Sequence, residues 1–109
     1  MMELQEALQI FETLKGTKHN KEFDCMVKSA VRYAGIRADW YFAKMAEHNM
    51  MDDERTIAHD AFIHACDVIS LKMKENGEST VWRIEIGSDR KSIGDFACLV
   101  HAVIAIKAR

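Results

Sequence analysis

The sequence predicts an all-α protein: an up-and-down bundle of about four helices, with one short extended segment near residues 80–86 before the last helix. Three observations support this prediction. The 109 residues include no proline and only five scattered glycines, so few positions force a helix to break. Four stretches repeat apolar residues at the 3.6-residue spacing of a helix. Apolar residues make up 49% and charged residues 29% of the chain, as in ordinary globular proteins, and its length suits a single helical domain over residues 1–109.

The first helix is predicted over residues 2–15, where Leu4, Leu8 and Phe11 lie one turn apart. Gly16 follows at the position where glycine commonly ends a helix. A polar connector comes next, and Asn20 can cap the second helix.

The second helix is predicted over residues 21–47, and the phase of its apolar face does not change at Gly35. A glycine inside a helix costs about 1 kcal/mol relative to alanine, so a kink or break at Gly35 is the main alternative. The residues of this face are Phe23, Val27, Ala30, Val31, Ala34, Ala38, Tyr41, Phe42 and Met45.

A second stripe on the same helix combines aromatic and basic side chains, among them Tyr33, Arg37 and Trp40. Such side chains can stack as cation–π neighbours or offer a platform to a planar or anionic ligand. Packing of Tyr33 and Trp40 on the first helix or on another subunit is the simpler interpretation. We list Tyr33, Arg37 and Trp40 as candidate interaction residues.

The third helix, predicted over residues 52–75, is apolar around most of its circumference and is expected to be the centre of the bundle. Its predicted core residues are Ala58, Ala61, Phe62, Ala65, Val68, Ile69 and Met73. Acidic residues at its start and an Asn-Gly pair after its end are typical helix boundaries.

Three polar residues of this helix, Asp60, His64 and Asp67, share one column because they are spaced i, i+4, i+7. Together with His101 from the last helix they could hold a divalent metal, the one cofactor that the sequence suggests. The plainer interpretations are a strip facing solvent or another subunit, and a His101 satisfied within the core or an interface.

The segment at residues 80–86 shows a strand pattern, because Trp82, Ile84 and Ile86 alternate with charged residues. No other stretch could pair with it, so we expect Trp82 and Ile84 to contact a partner. Antiparallel pairing with the same segment of a second copy is one arrangement. An extended segment anchored by Trp82 on its own helices is the other. A final helix follows to about residue 107, capped by Ser88 or Asp89.

Charge, composition and motifs lead to three functional hypotheses. The preferred one is a small cytoplasmic, non-enzymatic protein that acts through protein–protein contacts as a homodimer, with no catalytic or cofactor-binding residue. The first alternative is a metal-binding protein or metal-dependent hydrolase that uses Asp60, His64 and Asp67. The second is a nucleic-acid-binding protein that uses the basic helix at residues 21–44, which the net charge of −2 disfavours.

The expected location and solubility follow from the cysteines and the apolar runs. Three cysteines lie in apolar segments, an odd number that favours a reducing compartment, and the first residues do not resemble a secretory leader. The longest apolar run, residues 96–106, is too short to span a bilayer, so we expect no membrane partner.

Overall fold

The computed structural model describes residues 2–109 and confirms the predicted all-α bundle. No strand occurs within this range, and none of its helices combines the length and apolar content that crossing a membrane requires. The helices are α1 (Leu4–Lys15), α2 (Asn20–Phe42), α3 (His48–Glu75), α4 (Val81–Ile86) and α5 (Arg90–Lys107), with a short 3₁₀ helix at Met45–Glu47.

The core is one contiguous cluster of apolar side chains to which all five helices contribute. Helices α2 and α3, joined by a short connection, form a hairpin; α5 packs against both, and α1 packs mainly on α5. At the centre, Phe62 of α3 stacks on Phe96 of α5 with ring centroids 6.0 Å apart, and Tyr33 of α2 lies 6.4 Å from Phe62. Helix α3 packs mainly on α2, whereas α5 contacts each of α1, α2, α3 and α4. The central position predicted for the third helix therefore belongs to α5.

Helix α2 runs through Gly35 without interruption, so the predicted continuity is confirmed and the break at Gly35 does not occur. The helix ends five residues earlier than predicted, because the backbone becomes extended at Ala43 and Lys44. Helix α3 begins at His48 rather than at residue 52. The hairpin is thus made of two long helices with a tight connection.

The strand predicted at residues 80–86 is corrected by the structure, because this segment forms α4. An unpaired strand would leave its backbone groups unsatisfied, whereas a helical turn pairs them locally. Arg83 N donates to Thr80 O and Gly87 N to Ile84 O, each at 3.0 Å. With helical spacing, Trp82 and Ile86 both point inward and are 5% and 4% exposed, whereas Ile84 points outward.

In addition to the buried Trp82 and Ile86, the polar side chain of Arg83 links α4 to α3. Arg83 Nε donates to Asp67 Oδ1 at 2.7 Å, and Arg83 Nη1 donates to Gly87 O at 2.8 Å. Helix α5 then begins as predicted, since the Asp89 carboxylate accepts from Ser92 N at 3.1 Å and caps it.

Candidate functional site

The distal half of the α2–α3 hairpin, residues 35–57, carries exposed apolar surface. No residue in this range is fully buried, whereas the proximal halves of both helices supply much of the core. Tyr41, Phe42, Met45 and Met50 are 75%, 83%, 85% and 84% exposed. We call these four residues the hairpin patch. Several large, exposed apolar side chains in one region of a small protein commonly mark an interaction site.

Beside the hairpin patch, the side chain of Trp40 joins α2 to α3. Its indole stacks on the His48 ring at 4.0 Å and 19°, and Arg55 Cζ also lies 4.0 Å from it. His48 and Arg55 are seven residues apart on one helix, about 10 Å along its axis, so they flank the indole on opposite faces. Between them, Asp52 Oδ1 accepts from Trp40 Nε1 at 3.0 Å. The distal hairpin is therefore held as a defined surface.

A second contact fixes the hairpin to α5. The Arg37 guanidinium lies against Gly94, where an added Cβ would be 2.7 Å from Arg37 Cζ. Arg37 Nη1 donates to Asp95 Oδ1 at 3.2 Å and makes a weaker contact with Cys98 Sγ at 3.7 Å. Partial burial alone would lower the pKa of Arg37, but the hydrogen bonds and charge interactions with Asp95 and Cys98 together outweigh it, and the pKa is raised. Arg37 therefore joins α2 to α5 as a cation.

A cleft of about 350 Å³ lies beside these contacts. Its lining includes Arg37, Arg55 and the aromatic side chains of Trp40, Tyr41 and Phe42. Guanidinium and aromatic groups suit a planar or anionic group. Both arginines already face carboxylates, Arg37 as described and Arg55 through Nη2, which lies 3.6 Å from Asp52. This pairing compensates much of the positive charge that the cleft would offer to an anion.

The outer face of α2 is the other open surface of the hairpin. Val31, Gly35, Ala38 and Phe42 recur along it at helical spacing, and all four are exposed. A Cβ added at Gly35 would meet no atom within 4 Å, so nothing in residues 2–109 covers this point. Charged residues accompany the stripe, and three of them, Lys28, Arg32 and Asp39, are also exposed. We call these seven residues the α2 outer face.

Only part of the apolar face predicted for the second helix is buried, and the exposed part contributes to the α2 outer face. Phe23, Ala30 and Ala34 are buried as a core face should be, whereas Val31 and Phe42 are exposed. Met26 and Tyr33, from the second stripe, are buried together with Phe23, Ala30 and Ala34. Part of the predicted apolar face is consequently left without an intramolecular partner.

The predicted interaction residues have different positions in the structure. Tyr33 and Trp82 are 2% and 5% exposed and belong to the core, so their surfaces are not available to a partner. Arg37 and Trp40 are partly exposed and line the cleft. Ile84 is 80% exposed but lies on α4, and no other predicted interaction residue accompanies it at the surface there.

The four predicted metal ligands do not form a common site in the structure. Asp60, His64 and Asp67 are exposed on α3, where Asp60 Oδ1 lies 3.0 Å from His59 Nδ1 and Asp67 pairs with Arg83. His101 is exposed on α5. Within residues 2–109, no three His, Cys, Asp or Glu side chains are positioned to share a metal ion. The metal site stays a prediction that no arrangement in this range supports.

Sequence reasoning did not identify the hairpin patch or the Gly94 contact. Tyr41, Phe42 and Met45 follow the same periodicity as core residues, so the sequence contains no signal of their exposure. Gly94 offered a usable signal, because a glycine inside a long helix costs stability and suggests close approach of another group.

Comparison with known proteins gave no match: the chain matches no family model, no curated protein and no solved structure.

Proposed function

We propose that this protein acts through protein–protein contacts rather than through catalysis, and that it associates with a second copy of itself through the distal hairpin. The observation that carries the proposal is the hairpin patch. Four large apolar side chains within ten residues are each at least three-quarters exposed. At about 150–250 Å² for a large aromatic side chain, such a patch approaches the area that one partner buries in a standard interface.

The support of the patch also favours this proposal. Association costs less when the backbone that carries the contact surface is already held in place, because fewer segments lose freedom on binding. The contacts of Trp40 with α3 and of Arg37 with Gly94 of α5 hold the two helices from which the patch extends.

The two alternatives receive less support from the surface. The metal alternative has the dispersed ligands described above. The nucleic-acid alternative relies on the basic residues of α2, but Arg37 is engaged by Asp95, and Asp24 and Asp39 are exposed on the same helix as Lys28 and Arg32. Carboxylates interspersed with cations weaken attraction to a phosphate backbone.

Sedimentation velocity across the micromolar concentration range tests the proposal. We expect a reversible dimer whose dissociation constant rises about tenfold or more in Phe42→Ser, since removal of a central apolar anchor commonly has such an effect. The matched control is Ile84→Ser, because Ile84 and Phe42 are 80% and 83% exposed. This control should leave the dissociation constant unchanged.

Two results would contradict the proposal. The first is a wild-type protein that sediments as a monomer over the whole range. The second is a dimer that Ile84→Ser weakens and Phe42→Ser does not, which would move the contact to α4. Circular dichroism and a cooperative unfolding transition establish that each variant is folded.

A further inference from the structure

We infer that the second copy docks on the α2 outer face, so that the two α2 helices pack antiparallel and cross at Gly35. This inference rests on the proposed self-association and specifies a contact in which Phe42 is the one residue of the hairpin patch that takes part. Its evidence is independent of the hairpin patch except for Phe42, which belongs to both surfaces. The evidence is the order of charged and apolar residues on either side of Gly35.

The α2 outer face is symmetric about Gly35 in the way that a two-fold contact requires. Successive residues of a helix are rotated by about 100°, so Arg32 and Asp39 lie to one side of the line through Gly35. Val31 and Ala38 lie to the other side. In an antiparallel pair related by a two-fold axis, a residue before Gly35 faces a residue after Gly35 in the second copy, on the same side of the line.

This symmetry pairs opposite charges. Arg32 comes three residues before Gly35 and Asp39 four residues after it, at about 4.5 Å and 6 Å along the helix. Arg32 of each copy therefore lies level with Asp39 of the other, and the two-fold axis generates this contact twice. Both side chains are exposed in the single chain. The charges of this face are complementary to a second copy of the same face.

The apolar residues fit the same arrangement. Val31 faces Ala38 of the second copy on the side opposite the charges. Lys28 lies seven residues before Gly35 and Phe42 seven after it, so each lysine reaches the phenylalanine ring of the other copy, a cation–π geometry. Phe42 is 83% exposed in the single chain, and this packing would cover it.

A parallel arrangement does not pair these charges. In a parallel two-fold pair the axis runs along the helices and exchanges the two sides of the line, so Arg32 and Asp39 of one copy lie beside Val31 and Ala38 of the other. Only the antiparallel direction brings Arg32 of each copy next to Asp39 of the other, and the charges therefore favour that direction.

A crossing at residue 35 would explain why this position is glycine, although glycine destabilises a helix. A glycine inside a helix is less favourable than alanine by about 1 kcal/mol. Within residues 2–109, no neighbouring group approaches the position of the missing Cβ, so packing inside the chain does not require glycine there. Without a side chain at residue 35, two α2 helices can approach each other closely at the crossing point.

A charge-exchange experiment tests this geometry. Arg32→Asp or Asp39→Arg alone places like charges opposite each other twice, and we expect each to raise the dimer dissociation constant about tenfold or more. The double variant restores opposite charges and should return to within about threefold of the wild type. Lys74→Asp and Glu75→Arg, at exposed positions near the other end of α3, make the same net-charge changes as controls and should have no such effect.

Gly35→Leu provides a second test, because its side chain enters open space in the single chain but would separate the helices at the crossing. We expect the variant to fold and its dissociation constant to rise about tenfold or more. A wild-type dimer that tolerates the single charge exchanges or Gly35→Leu would overturn this geometry and leave the proposed self-association standing. So would a double variant as weak as the single ones. A monomeric wild-type protein would overturn both.

Discussion

Replacement of Gly94 by alanine should displace the Arg37 guanidinium without removing any charged residue from the sequence. The new Cβ would lie 2.7 Å from Arg37 Cζ, closer than two such carbon atoms can approach. The displaced group is the end of a flexible side chain, so we expect Arg37 to move and α5 to keep its position. The contact with Asp95, at 3.2 Å in the wild type, is then lost.

The size of the effect follows from two opposing contributions. Alanine in place of glycine inside a helix should add up to about 1 kcal/mol to the free energy of unfolding. The Arg37–Asp95 pair is partly protected from water, with side chains 31% and 30% exposed, and loss of such a pair costs about 0.5–1 kcal/mol. Gly94→Ala should therefore change the free energy of unfolding by only about 0–0.5 kcal/mol.

Gly35→Ala is the matched control, because Gly35 also lies inside a long helix but an added Cβ there meets no atom within 4 Å. It should show the full helix-propensity gain of about 1 kcal/mol. Both variants are compared by urea unfolding in dilute solution, where association does not contribute to stability. The same comparison is then repeated in an Arg37→Ala background.

The Arg37→Ala background distinguishes the proposed cause from other differences between the two positions. With the guanidinium absent, Gly94→Ala should gain as much stability as Gly35→Ala. Equal gains in the wild-type background would show that Arg37 does not restrict residue 94. A deficit at residue 94 that persists without Arg37 would assign the restriction to another group.

Three further predictions concern other parts of the molecule. Trp82→Ala should cost about 3–5 kcal/mol in urea unfolding because the side chain is buried, whereas Ile84→Ala should change stability by less than about 0.5 kcal/mol. Burial raises the pKa of the Cys66 thiol to about 12, so a thiol reagent at neutral pH should modify the other two cysteines of the folded protein and this one only after unfolding. The hydrogen bond from His19, 2.7 Å away, lowers the pKa of Glu78 below 4.5. Its stabilising contribution is present above pH 4.5 and is lost as the pH falls through the lowered pKa, so Glu78→Gln should be less stable than the wild type near neutral pH and lose less stability on acidification.

The sequence predicted those features that depend on periodicity and local chemistry. The 3.6-residue repeat identified four long helices and most of the buried residues of the third helix. Ala58, Phe62 and Ile69 are buried as predicted, whereas Ala61 and Val68 are only partly buried. The cap of the last helix was also predicted, because the Asp89 side chain needs only its own backbone neighbours to make that hydrogen bond.

Helix boundaries and short segments were predicted less well because two local structures compete there. Trp82, Ile84 and Ile86 fit a strand that buries all three side chains and a helical turn that buries two. The helical turn is adopted because it satisfies its own backbone and lets Arg83 pair with Asp67, a residue sixteen positions earlier in the chain. Residues so far apart in sequence give no periodic signal.

The tertiary structure alone determined which apolar face of the hairpin is covered. The sequence established that the second helix has an apolar stripe containing Val31, Ala38 and Phe42, but a stripe has the same periodicity whether it packs inside the chain or on a partner. Helix α2 turns Met26 and Tyr33 into the core and leaves the other stripe open, because none of the helices within residues 2–109 packs over it. The sequence thus determined the composition of the outer face, and its exposure depended on where the helices pack.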